Sequence, residues 1–147
     1  MVKHSVVFLG SGPVAAESLH LLSEAFTIEA IVTKPTTTAM MQAACPTSPL
    51  YTVEKRRDLD ELVANKKFTS ACGILIDFGI IVSNKTISSF PKGIINSHFS
   101  LLPEWRGADP ITFAILSGQK TTGVSIMLLS EGMDEGPLLA QATCDVP

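Results

Sequence analysis

The chain has 147 residues, of which 46% are hydrophobic and 17% charged, and a formal net charge of −3. That length and balance describe one globular domain with a real core and exclude a disordered chain. The acidic balance argues against a surface that grips nucleic acid by itself. Cys45, Cys72 and Cys144 are odd in number and widely spaced, and the histidines are scattered, so neither a disulfide framework nor a bound metal is expected. No apolar run is long enough to cross a membrane and no signal h-region opens the chain, so the expected location is cytoplasmic.

Residues 5–9 form a short apolar run ending at glycine, the pattern of a buried parallel strand. Gly10-Ser11-Gly12-Pro13-Val14-Ala15 then matches G-x-G-x-x-A between strand and helix, with Pro13 as a helix start and Glu17 expected in the first turn. Ala15, Leu19, Leu22 and Phe26 supply its apolar face. The turn reads as a phosphate site for a dinucleotide, or as a tight strand-to-helix connection. The acidic residue that usually follows the second strand is missing: residues 27–33 form that strand, and Lys34-Pro35 comes next. Residues 34–49 carry three prolines and one basic side chain, and predict a loop with one helical turn at 39–44. A short strand is expected at 50–53 and a helix at 58–65. Arg56-Arg57 and Lys66-Lys67 bracket that helix, either as phosphate contacts or as a solvated face. Residues 70–76 predict another buried strand. Asp77-Phe78-Gly79-Ile80-Ile81-Val82 follows at its carboxyl end, where Gly79 permits close backbone approach and Asp77 is a ligand contact or a loop cap. Ser83 caps a short helix at 83–90.

The central strand runs through Gly93-Ile94-Ile95-Asn96-Ser97-His98. Side chains two apart share a strand face, so Asn96 and His98 point the same way at the carboxyl end, where open α/β sheets bind ligands. An amide and an imidazole aimed together can donate two hydrogen bonds to a developing oxyanion. In Ser100-Leu101-Leu102-Pro103 the hydroxyl ties a turn, two leucines line its floor and proline sets the backbone. Trp105 and Arg106 stand in a loop, and Trp105 either meets an acceptor substrate or packs on the domain. Asp109 caps a helix at 111–117, with Pro110 as its first residue and Gly118 as its stop. Residues 122–129 form a strand in which Val124 and Ile126 alternate with Ser125 and Met127. Residues 138–144 return antiparallel across the turn Met133-Asp134-Glu135-Gly136. A carboxylate beside a histidine sets its tautomer. Asn96, His98 and Asp134 thus make an acyl-transfer set with no protein nucleophile.

The run Asn96-Ser97-His98-Phe99-Ser100-Leu101-Leu102-Pro103, then Trp105-Arg106-Gly107-Ala108, Thr122-Gly123-Val124-Ser125-Ile126-Met127 and Asp134-Glu135-Gly136, resembles the catalytic domain of methionyl-tRNA formyltransferases. More broadly, it resembles the 10-formyltetrahydrofolate-dependent formyltransferases. The resemblance implies a Rossmann-like α/β fold: a mostly parallel twisted sheet, helices on both faces and a C-terminal antiparallel hairpin. It implies catalysis by Asn96, His98 and Asp134, and folate contacts from Phe78, Gly79, Ile80, Ile81 and Val82 and from Ser100, Leu101, Leu102 and Pro103. It implies acceptor contacts from Trp105 and Arg106. It makes residues 1–147 a catalytic domain shorter than the family's usual extent, without the C-terminal barrel domain of the tRNA enzymes.

The implied reaction moves a formyl group from 10-formyltetrahydrofolate to a primary amine, foremost the methionyl amine of initiator tRNA. Parts beyond this chain would then help hold the tRNA. Phe78 stands where the family commonly has tyrosine, and residues 34–49 lack the basic loop that engages tRNA in those enzymes. The alternatives are a sugar nucleotide or other small amine as acceptor, a non-catalytic folate-binding remnant, and a dinucleotide-binding oxidoreductase motivated by Gly10 to Ala15.

Overall fold

The computed structural model describes residues 2–147. The chain divides into two compact units, residues up to 94 and residues 95–147.

In the first unit, β1 (Ser5–Gly10), β2 (Thr27–Thr33), β3 (Leu50–Thr52) and β4 (Cys72–Ile76) form a parallel sheet in the order β3-β2-β1-β4. The apolar run on β1 becomes a central strand, with Val7, Phe8 and Leu9 fully buried. The helices are α1 (Pro13–Ala25), α2 (Thr38–Ala44), α3 (Arg56–Lys66) and α4 (Asn84–Ser88). Pairs α1 with α2 and α3 with α4 pack together. The chain reverses direction across the sheet after β3, and the right-handed crossover rule then puts α3 on the face opposite α1. The reversal falls between β1 and β4, the switch point where such sheets open a crevice at their carboxyl ends.

Two expectations need correction here. Helix α1 begins at Pro13, so Glu17 lies beyond its first turn, which holds no acidic residue. Residues 34–49 are more helical than their prolines implied. A 3₁₀ turn at Pro35–Thr37 runs into α2. Pro35 sits at the start, where its missing N–H costs nothing. Ala39, Met40, Met41, Gln42, Ala43 and Ala44 are strong helix formers, and Met41 is fully buried. The Gln42 amide closes the end by donating to the carbonyls of Cys45, Pro46 and Ser48.

Helix α3 starts at Arg56, because Asp58 accepts from the backbone N–H groups of Glu54 and Lys55. The basic pairs therefore lie at the helix ends. Arg57 pairs with Glu61 one turn on, with its side chain 86% exposed, and Lys66 lies over the Tyr51 ring. These contacts are those of a solvated face. Asp60 ties α3 to α4 by accepting from the hydroxyls of Ser83 and Thr86, while Ser83 caps α4 through Thr86 N–H.

The second unit holds most of β5 (Ile94–His98), with α5 (Pro110–Leu116), β6 (Thr121–Leu128) and β7 (Leu138–Asp145). β6 pairs antiparallel with β5 on one side and β7 on the other, so the expected hairpin is present. Asp109 caps α5, accepting from Thr112 N–H. On β6 the fully buried face is Gly123, Ser125 and Met127, while Val124 and Ile126 are half-buried on the other. Every residue of β7 is exposed.

Candidate active site

On β5 the side chains of Ile94, Asn96 and His98 lie on the buried face and Ile95 and Ser97 on the other. Asn96 and His98 are each 7% exposed. They sit opposite Met127 and Ser125 of β6 in the ladder register. Among the described residues the Asn96 amide has no hydrogen-bond partner. Its polar atoms are not sealed from solvent, so its donors and acceptors stay available to a ligand.

His98 has a hydrogen bond at one ring nitrogen and a carboxylate near the other. Nε2 lies 2.8 Å from the carbonyl oxygen of Trp105. A carbonyl only accepts, so Nε2 carries a proton there. Nδ1 is therefore the nitrogen turned to the remaining partner, Oδ2 of Asp134, at 3.6 Å. Asp134 comes from the turn between β6 and β7 and has φ 52. Its Oδ2 also accepts from Gly107 N–H at 2.7 Å. Gly136 lets this turn close: a Cβ there would stand 1.7 Å from the Leu128 carbonyl oxygen. The structure thus brings Asn96, His98 and Asp134 into one unit.

The turn at Ser100, Leu101, Leu102 and Pro103 is tied from β6. Ser125 Oγ donates to the Ser100 carbonyl at 2.6 Å and accepts from Leu102 N–H at 3.0 Å. Gln141 of β7 donates to Ser125 Oγ and to the Leu102 carbonyl. The Ser100 hydroxyl itself donates to the Glu104 carbonyl. Leu102 is buried, and Leu101 lies against Gly123, where a Cβ would meet its Cδ2 at 2.6 Å. The Leu102–Pro103 peptide is cis.

Trp105 packs through most of its surface: its ring stacks on Phe113 of α5 with centroids 5.9 Å apart, and its indole N–H donates to Gln119. Arg106 is exposed, 3.8 Å from Glu135. In the first unit, Phe78 is 1% exposed, Ile80 and Val82 are half-buried, and Ile81 is 70% exposed. Gly79 has φ 68, and a Cβ there would lie 2.7 Å from Nζ of Lys34.

The glycine turn after β1 is closed by the chain itself. Ser11 donates through its backbone N–H to the Asp77 carbonyl and through its hydroxyl to the Phe78 carbonyl. A Cβ on Gly12 would stand 1.6 Å from Oδ2 of Asp77. A carboxylate resting on the second glycine repels the phosphates that a dinucleotide would place there. Gly12 is needed for the Asp77 side chain to approach, while the Asp77 backbone carbonyl accepts from Ser11.

The sequence reading gave no positioning role to Ser125, Gln141, Gly107 or Gln119, although Gly107 and Ser125 stand in the runs that carry the resemblance. A serine on an apolar alternating strand was the available signal for Ser125. The other three act through partners 14 to 39 residues away, which no local pattern shows.

A family model described as formyl transferase matches residues 11–147, and the chain belongs to that family. It is 34% identical over 154 residues to methionyl-tRNA formyltransferase of Bifidobacterium animalis subsp. lactis, an alignment spanning 96% of this chain and 48% of the relative. The chain thus spans about half the length of the curated relatives it matches. Among solved structures, glycinamide ribonucleotide transformylase 1 from Geobacillus kaustophilus matches 99% of this chain and 85% of its own, with a TM-score of 0.82 at 22% identity. A formyltetrahydrofolate deformylase from Pseudomonas syringae matches 99% of this chain and 52% of its own, with a TM-score of 0.81 at 22% identity. The fold is the Rossmann-like one of the formyltransferases. No helix among the described residues is long and apolar enough to cross a membrane.

Proposed function

We propose that this chain catalyses formyl transfer from 10-formyltetrahydrofolate to a primary amine, with the methionyl amine of initiator tRNA as the acceptor. The observation that carries the reading is the Asn96 amide, on the same strand face as His98 and not committed to any protein partner among the described residues, with Asp134 beside Nδ1. Family membership and the named relatives support the chemistry and the acceptor.

The amine lone pair attacks the formyl carbon, and the carbonyl π electrons move to oxygen. Asn96 donates a hydrogen bond to that oxyanion, and the His98 imidazole faces the same reacting groups through Nδ1 as a proton-transfer group. Asp134, beside the ring, helps carry a proton from the attacking amine to N10 of the departing tetrahydrofolate. Collapse of the intermediate breaks the carbon–N10 bond and leaves the formamide. No protein nucleophile is required. Folate contacts are assigned to Phe78, Gly79, Ile80, Ile81 and Val82 and to Ser100, Leu101, Leu102 and Pro103. Acceptor contacts are assigned to Arg106 and to the Trp105 ring face turned away from Phe113.

A second reading, with a small amine as acceptor, is favoured by one observation. Residues 34–49 contain a single basic side chain, Lys34, within a chain of net charge −3. Calorimetric titration with 5-formyltetrahydrofolate, with NAD and NADP in parallel, tests the shared part of both readings. Folate binding alone is expected, and dinucleotide binding alone would overturn it. Turnover with Met-tRNA against small primary amines then separates the acceptors.

A further inference from the structure

The segment from Glu104 to Gly107 reaches both candidate catalytic side chains through its backbone. The Trp105 carbonyl accepts from His98 Nε2, and Gly107 N–H donates to Asp134. To present those groups, Trp105 takes φ 52 and Gly107 φ 88. Glycine adopts that region freely, but a tryptophan does so under strain and keeps it only where its surroundings hold it.

Three contacts do the holding. The indole N–H donates to Oε1 of Gln119 at 2.7 Å, and Nε2 of Gln119 donates to Oε2 of Glu104 at 2.9 Å. The ring stacks on Phe113 at an interplanar angle of 8°. Gln119 is itself fixed just past α5, where its backbone N–H donates to the Ser117 hydroxyl. Its amide therefore spans the residue bearing the carbonyl and the residue before it, and uses both its donor and acceptor ends to do so.

We propose that Gln119 is a positioning residue for His98. By receiving the indole N–H, it keeps Trp105 in the left-handed conformation whose carbonyl holds the proton on Nε2. That leaves Nδ1 facing Asp134 and the reacting groups. The kinetic consequence rests on the formyl-transfer reading; the effect on the imidazole does not.

The test is long-range ¹H–¹⁵N correlation NMR on histidine-labelled chain, recorded at a pH where titration shows the rings neutral. His4 and His20, both exposed, serve as references in the same spectrum. The wild-type His98 ring is expected in the Nε2–H tautomer with a slowly exchanging proton. In Gln119→Leu its signals move toward the average of a mobile ring, while those of His4 and His20 stay put. Trp105→Phe keeps the stack but deletes the indole N–H, and gives the same shift, which covers the case of a Gln119→Leu chain that does not fold. The exchange Glu104→Gln with Gln119→Glu restores an oxygen for the indole and a donor–acceptor pair beside it, and returns the wild-type spectrum. In turnover assays Gln119→Leu lowers kcat by roughly tenfold to a hundredfold with folate KM unchanged, the scale expected for a misplaced catalytic group. An unchanged His98 spectrum in folded Gln119→Leu or Trp105→Phe chain overturns the proposal. An absence of turnover in the wild type, with the NMR shift present, strikes only the formyl-transfer reading.

Discussion

Replacing Ser125 by alanine removes one oxygen from the most connected buried hydroxyl of the second unit. Ser125 is fully buried and meets three partners: the Ser100 carbonyl at 2.6 Å, Leu102 N–H at 3.0 Å and the Gln141 amide at 2.9 Å. Gln141 keeps its second acceptor, the Leu102 carbonyl, so its loss is partial. The Ser100 carbonyl and Leu102 N–H lose this partner inside the protein. Each buried group left unpaired costs roughly 1–3 kcal/mol, so the variant should lose about 3 kcal/mol in total. For a domain of this size that is a fall in Tm of roughly 6–12 °C. Thermal unfolding followed by circular dichroism reads it directly. Because both orphaned groups lie in the Ser100 to Pro103 turn, calorimetry should also show weakened folate binding. A Tm within about 2 °C of wild type would refute the reasoning, since that is under 1 kcal/mol and would mean that neither group depends on the hydroxyl.

Asp134→Asn keeps an oxygen for Gly107 N–H but loses the charge facing His98. It should lower kcat by about a hundredfold or more, the usual scale for a lost proton-transfer group, with folate affinity by calorimetry unchanged. Gly136→Ala drives a Cβ against the Leu128 carbonyl, a clash with backbone that no rotamer relieves. A loss of about 1–3 kcal/mol in urea unfolding is expected, together with reduced turnover as the Asp134 turn shifts. Burial alone would raise the carboxyl pKa of Glu29 and of Asp60. The bonds Glu29 receives from Ser70 and Thr69, and those Asp60 receives from Ser83 and Thr86, outweigh it and hold both below the ordinary value. A depressed folded pKa contributes stability above the unfolded value of about 4 and loses it as pH falls through the folded one, so urea stability should drop below about pH 5. Asp60→Asn should flatten that fall, and an equal slope in the variant would refute the assignment.

Asn96 and His98 were legible because a strand has a period of two and the run ends at the carboxyl edge of a buried strand. Asp134 was legible only as a turn residue; its distance from His98 depends on the β6–β7 hairpin and on Gly136 letting the turn close. The glycine turn after β1 was legible as a turn but ambiguous in purpose. A phosphate site and a tight connection share the same local sequence, and the carboxylate that decides between them arrives from Asp77, 65 residues on from Gly12. In residues 34–49 the helical turn at 39–44 was legible and is present in α2, while the 3₁₀ turn at Pro35–Thr37 was not, because prolines mark boundaries without saying how much helix lies between them.

The sequence by itself determined the order of strands and helices, the shared face of Asn96 and His98, and the caps at Ser83 and Asp109. All of these follow from periodicity and short-range hydrogen bonding within a few residues. The tertiary structure alone decided which imidazole nitrogen carries the proton, which hydroxyl ties the Ser100 turn, and what fills the glycine loop. Each depends on a partner brought from a distant part of the chain, and hydrogen bonds to such partners leave no trace in local pattern. The left-handed Trp105 shows the division most plainly: its neighbours in sequence give no reason for that conformation, and Gln119 and Phe113 supply one.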